Sequence, residues 1–67
     1  MTVYVNNEPI NIDNPITITG LLVQLKIEHT RGSAIAVNNK VIPKVSWEMH
    51  RLFEGDKVII IKATQGG

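Results

Sequence analysis

Lys57-Val58-Ile59-Ile60-Ile61-Lys62-Ala63-Thr64-Gln65-Gly66-Gly67 closes the sequence, and its reading decides the fold. Four consecutive β-branched aliphatic residues, Val58 to Ile61, form the strongest strand signal in the chain, and a strand from Lys57 through Ala63 is expected. A strand apolar on both faces belongs in the middle of a sheet, with a neighbour on each side. Glu54-Gly55-Asp56 in front of it reads as a turn. Thr64 to Gly67 follows as a four-residue tail. Glycine has no Cβ, so a Gly66-Gly67 terminus is slim enough to thread a narrow channel, with no side chain shielding the last carbonyl.

Working outward, a partner strand for this central segment lies at Ala34-Ile35-Ala36-Val37, followed by a turn at Asn38-Asn39-Lys40 and a short strand at Val41-Ile42 before Pro43. At the other end of the chain, Val3 and Val5 alternate with Tyr4, and Ile10 and Ile12 alternate with polar neighbours between Glu8 and Asp13. Asn6-Asn7 between them tolerates the left-handed backbone of a tight hairpin turn. Pro9 cannot donate to a ladder, so the second strand is expected at a sheet edge.

One helix is expected. Thr17 is a candidate N-cap, and Ile18, Leu21, Leu22 and Leu25 follow at i, i+3, i+4 and i+7. Gly20 occupies the position where Glu or Gln would complete a capping box and weakens the helix relative to Ala. The helix is expected to fade near Glu28, before His29-Thr30-Arg31-Gly32-Ser33. Ser46 through Phe53 reads as irregular.

The order is thus ββαβββ. A single helix covers only one face of the sheet, so the other face must look outward and present apolar residues, as binding surfaces do. This is the pattern of an α+β β-grasp, a ubiquitin-like mixed sheet of four to five strands on one main helix. Residues 1–63 are assigned to the β-grasp domain and 64–67 to a flexible diglycine tail.

Composition narrows the function. The chain has 67 residues, 43% of them hydrophobic, and no cysteine. So short a chain leaves no room for a deep active-site cavity inside a protected core, which argues against an autonomous enzyme. A net charge of +1, from seven scattered Lys and Arg, gives no basic stripe for nucleic acid. No segment approaches the ~18 apolar residues of a membrane span. The absence of cysteine suits a reducing compartment, and with two histidines it disfavours structural zinc. A full-length cytoplasmic protein ending at its native C-terminus is expected, with no bound metal or cofactor.

Individual polar residues add little. His29 and His50 lack acidic or thiol partners at ligand spacing, Ser33 and Ser46 lack a nearby base, and Asp56 reads as turn chemistry. Trp47 is expected as a core lid over one end of the sheet rather than as a recognition residue.

As an ordered set, Val5-Asn6, Thr17 through Leu25, Ala34-Ile35-Ala36-Val37-Asn38, Val41-Ile42-Pro43, Trp47, Gly55-Asp56 and Gly66-Gly67 resemble the ThiS family of sulfur carriers along nearly the whole chain. The resemblance implies a protein that is acted upon rather than an enzyme. An E1-like, ThiF-like adenylyltransferase would use ATP to adenylylate Gly67, and a cysteine desulfurase relay would supply sulfur to form a thiocarboxylate. Thiazole synthase, ThiG-like, would then take the sulfur for the thiazole of thiamine.

The resemblance also sets the parity of the last strand. Ile59 and Ile61 would face outward, with Tyr4, onto partner enzymes, and Val58 and Ile60 would face the helix. Burial of both sets in the core is the competing reading. Three other functions stay open at this level: a molybdopterin-type carrier, a lysine-conjugated ubiquitin-like modifier, and a β-grasp interaction module with an incidental tail.

Overall fold

The computed structural model describes residues 1–13, 16–27 and 31–62. Seven strands and one α-helix are present among them: β1 (Thr2–Val5), β2 (Glu8–Asn11), β3 (Ile16–Thr17), α1 (Ile18–Gln24), β4 (Ser33–Val37), β5 (Lys40–Ile42), β6 (Arg51–Leu52) and β7 (Lys57–Lys62). Five of the strands make one mixed sheet in the order β2-β1-β7-β4-β5. β7 is central, parallel to β1 and antiparallel to β4, and β2 with its Pro9 is an edge strand. This is the expected α+β, ubiquitin-like β-grasp.

Both hairpin turns take the conformation their asparagines permit. Asn6 and Asn7 have φ of 50° and 71°, and Asn38 and Asn39 have 52° and 70°. Paired positive φ values at the two central residues match the twist of the flanking strands. The first hairpin is extended beyond its strands, because Met1 and Ile12 exchange both hydrogen bonds at 2.8 and 2.9 Å.

The helix begins at the expected cap but is shorter than expected. Thr17 Oγ1 accepts from the Gly20 N–H at 3.2 Å. The Ile18 and Thr19 N–H groups donate to the carbonyls of His50 (3.1 Å) and Trp47 (3.2 Å). The first three orphan donors of the helix are therefore satisfied, two of them by a remote loop. The helix ends at Gln24 instead of running to Glu28, which lies outside the described residues. Lys26 adopts φ 60°, the Ile27 N–H bonds the Leu22 carbonyl at 2.9 Å, and the Lys26 N–H bonds that of Val23 at 3.0 Å. This is a Schellman termination with lysine in the position that glycine usually holds.

A short 3-10 helix, Lys44–Ser46, leads into the stretch expected to be irregular, and that stretch holds strand β6. β6 pairs antiparallel with β3 through Ile16↔Leu52 and Thr17↔Arg51, a two-stranded sheet beyond the expected ββαβββ order. It fastens the loop that caps α1. Strand β2 stops at Asn11, short of the expected Asp13, whose backbone N–H instead donates to the Gln24 side chain.

The core lies between α1 and one face of the large sheet. Ile18, Leu21 and Leu22 from the helix meet Val3, Val5, Ile35, Val37, Ile42 and Val58 from the sheet, and Trp47 and Leu52 close one end. Trp47 is 4% exposed, with its indole N–H donating to the Ile42 carbonyl at 2.9 Å. That bond lets a large aromatic serve as a lid without burying an unpaired donor. Among the described residues no buried side-chain nitrogen or oxygen lacks a partner.

Candidate functional site

The face of the sheet turned away from α1 follows from register. Cα partners in a ladder share a face, so Val58 with Val37 and Ile60 with Ile35 point to the core. Ile59 pairs with Ala36 and Ile61 with Ala34 on the opposite face. Tyr4 is on this face beside β7, with Pro9 opposite it on β2 and Val41 opposite Ala36 on β5. The result is an apolar strip across all five strands. Ile61 is 56% exposed, Tyr4 41% and Val41 67%, while Ile59 is half-buried.

The strip has a shape set by side-chain size. Ala34 and Ala36 are small, so Ile59 and Ile61 stand above their β4 partners and form a ridge along the central strand. Lys57, on the same face as Tyr4, ends the ridge at its N-terminal side. An uncovered apolar ridge on a sheet otherwise closed by a helix is suited to docking another protein. An open hollow of about 540 Å³ lies elsewhere, lined by Met49, His50, Arg51 and Phe53 among others, and contains none of Tyr4, Ile59 and Ile61.

Side-chain amides and a carboxylate hold the ridge strand in place. At its start, Asn38 Oδ1 accepts from the Lys57 N–H at 3.0 Å and Asn38 Nδ2 donates to Asp56 Oδ1 at 3.1 Å. Asp56 Oδ2 accepts from the Phe53 N–H at 2.8 Å. Further along, the Asn6 amide meets the backbone of Ile60. Asp56 thus does the turn chemistry expected of it. The local sequence marks the two asparagines as turn residues, and their second role appears once distant strands are brought together.

The other residues singled out in the sequence fall in different places. Thr64, Gln65, Gly66 and Gly67 lie outside the described residues, as does His29. Ile59, Ile61 and Tyr4 share the outer face, and the structure adds Ala34, Ala36, Val41 and Pro9 to it. A small-large alternation, Ala34-Ile35-Ala36-Val37, was the available sign that the alanines face away from the core. His50 is half-buried, and its backbone carbonyl serves the helix N-terminus. Ser33 is opposite Lys62 at the end of β4. Among the described residues, no three of His, Cys, Asp or Glu gather at metal-holding distance, and no helix is long and apolar enough to cross a membrane.

Known proteins share both sequence and shape with this chain. The sequence model of the ThiS family matches residues 3–67. The sulfur carrier protein ThiS of Escherichia coli (strain K12) is 27% identical over 67 residues, with 100% of both chains covered. The crystal structure of the thiamine biosynthesis protein ThiS from Geobacter metallireducens superposes with a TM-score of 0.85 at 25% identity, again over 100% of both chains. A solution NMR structure of a thiamine biosynthesis protein from the same organism gives 0.80, covering 100% of this chain and 88% of that one.

Proposed function

The chain belongs to the ThiS family, and on that footing we propose that it is a sulfur carrier of thiamine biosynthesis whose working group is the carboxylate of Gly67. The observation that carries this reading is the reach of the family match, which extends through Gly66-Gly67 to the last residue. The full-length similarity to the Escherichia coli sulfur carrier supports it.

In the proposed cycle the chain is a co-substrate and catalyses nothing itself. A free carboxylate is a poor electrophile. Attack of a Gly67 carboxylate oxygen on the α-phosphorus of ATP, on an E1-like adenylyltransferase, yields an acyl-adenylate and releases pyrophosphate. The terminal sulfur of a persulfide from a cysteine desulfurase relay then displaces AMP to give an acyl disulfide, and a thiolate cleaves its S–S bond, which releases the thiocarboxylate and leaves a disulfide on the donor side. Thiazole synthase takes this sulfur, and the carboxylate returns as an oxygen from the acceptor or from water replaces sulfur on the Gly67 carbonyl carbon. With no cysteine in the chain, the C-terminus is the place for transferable sulfur. The ridge of Ile59 and Ile61, with Tyr4, is the surface by which these enzymes would recognise the carrier, and the cytoplasm is where ATP and a reducing environment coexist.

The test is the intact mass of the protein after incubation with ATP, the adenylylating enzyme and a sulfur donor, before and after thiol-directed alkylation. A gain equal to replacement of one oxygen by sulfur, with the alkyl group mapped to Gly67, is the expected result. Deleting Gly67 should abolish the gain and leave the fold intact. An unchanged mass, with an enzyme proven on a control carrier, would falsify the reading and favour an interaction module with an incidental tail.

A further inference from the structure

Strand β1 runs out before its neighbour does. β1 ends at Val5, whereas β7 continues to Lys62, and the β1–β7 register covers only Tyr4↔Lys57 and Val5↔Val58. At Asn6 the backbone swings into the hairpin turn, with φ 50°. Its N–H still donates to the Val58 carbonyl at 2.8 Å. Beyond that, the next backbone groups of β7 that face the β1 side belong to Ile60, with those of Lys62 one step further, and no backbone from β1 reaches Ile60.

The Asn6 side chain arrives instead. Asn6 Oδ1 accepts from the Ile60 N–H at 2.8 Å, and Asn6 Nδ2 donates to the Ile60 carbonyl at 3.4 Å. A carboxamide carries the same acceptor and donor as a peptide group. Asn6 thus acts as a detached peptide unit that continues the parallel ladder by one step. The turn alone does not demand this. Glycine or aspartate would also accept the positive φ, but neither provides an acceptor and a donor together.

Ile60 lies seven residues before Gly67, and Lys62 is the last residue of β7. From Val58 onward β4 holds one side of β7 through Ile59 and Ile61, and Asn6 holds the other. We propose that Asn6 is a positioning residue for the adenylylation of Gly67: it fixes the course of β7 at Ile60, two residues before the strand's last residue, Lys62. This role rests on the reading of Gly67 as the group that is adenylylated. Asn6 is not part of the ridge of Tyr4, Ile59 and Ile61. Its loss should therefore spare docking and reduce the fraction of docked complexes in which the carboxylate meets ATP.

The test compares the wild type with Asn6→Gly, which keeps the positive φ and removes the amide, and with Asn6→Asp, which keeps an acceptor and removes the donor. Ile42→Val, in the core and away from the ridge, is the control for stability. Amide hydrogen exchange at Ile60 and ATP–pyrophosphate exchange by the adenylylating enzyme are measured for each.

The expected result for Asn6→Gly is faster exchange at Ile60, a fall in kcat of about tenfold and a KM within about twofold of wild type, since small misplacements of a reacting group are expensive in rate. Asn6→Asp should fall between. Ile42→Val should lower the melting temperature and leave kcat alone. Wild-type kcat in Asn6→Gly overturns the positioning role by itself, as does a loss of kcat in Ile42→Val that tracks its loss of stability. A wild-type chain that is not adenylylated by an enzyme active on a control carrier overturns the carrier reading and this role together.

Discussion

Asn38 and Asp56 join the turn after β4 to the turn before β7, with Asn38 Nδ2 donating to Asp56 Oδ1 at 3.1 Å. The other carboxylate oxygen accepts from the Phe53 N–H at 2.8 Å. Both oxygens of Asp56 are acceptors only, which an ionised carboxylate satisfies and an amide cannot.

Replacing Asp56 therefore has a graded outcome. Asp56→Ala removes both bonds and should destabilise by about 1–2 kcal/mol, less than the ~1.5–3 kcal/mol of a sheltered hydrogen bond to a charged group because both bonds are exposed to solvent. Asp56→Asn keeps one acceptor and opposes the second donor with an NH₂, so it should lose about half as much. Urea unfolding followed by the fluorescence of Trp47, the sole tryptophan, measures both. For a chain of this size with total stability of about 3–10 kcal/mol, the Ala variant should show a visibly lower midpoint.

The outer ridge gives a prediction that separates recognition from folding. Ile61 is 56% exposed, so Ile61→Lys should change stability little. If the ridge is the docking surface of the proposed carrier, the same change should raise KM for the adenylylating enzyme by about tenfold, corresponding to loss of roughly 1.4 kcal/mol of contact. Val23→Lys on the outward side of α1, where Val23 is 72% exposed, should leave KM unchanged. Equal KM values for wild type and Ile61→Lys would remove the ridge from the recognition surface. The split differs from that expected for Asn6, where kcat moves and KM stays.

How far the sequence reveals this arrangement depends on the range of each interaction. The Asn6-Asn7 and Asn38-Asn39 turns and the Thr17 cap are signalled within a few residues and stand where the sequence places them, as does the central apolar strand from Lys57 to Lys62, its expected last residue Ala63 lying outside the described residues. Strands β3 and β6 have two residues each, too few for any period, and exist because Ile16 and Leu52 meet across a long separation. The helix end was obscured because Leu25 continues the apolar stripe, while Lys26, in the left-handed region, gives no local sign of it. The ridge needed register to find Ala34 and Ala36, and the Asn6 amide bonds to a residue 54 positions away. The diglycine was the most informative motif, and it lies outside the described residues.

Gly20 shows packing overruling propensity. From helix propensity alone, Gly20→Ala should stabilise α1 by up to about 1 kcal/mol. A Cβ at this position, however, would be 2.7 Å from Ile16 Cγ1. Ile16 is held by its pairing with Leu52, and Cγ1 is close to its backbone, so the side chain has little freedom to withdraw. Overpacking of about 1–3 kcal/mol should exceed the propensity gain, and Gly20→Ala should lower stability by roughly 0–2 kcal/mol. An increase in melting temperature would show that β3 moves aside more easily than this geometry implies.

Lys26 presents the reverse case. It has φ 60° at the C′ position of α1, where a residue with a Cβ incurs about 1–2 kcal/mol relative to the right-handed region. Glycine there relieves the conformational strain but widens the unfolded ensemble, which returns about 0.4–1 kcal/mol. The Schellman bonds from the Lys26 and Ile27 N–H groups need only the backbone and survive the change. Lys26 is exposed, and its side chain accounts for none of the core packing. Lys26→Gly should therefore raise stability by about 0.5 kcal/mol, read as a rise of a few degrees in melting temperature. Lys26→Asn, which also tolerates the left-handed region, should give a smaller gain, and Lys26→Val a loss, because branching at Cβ worsens the same clash. A flat series across Gly, Asn and Val would mean that the chain leaves the helix here by some other backbone path.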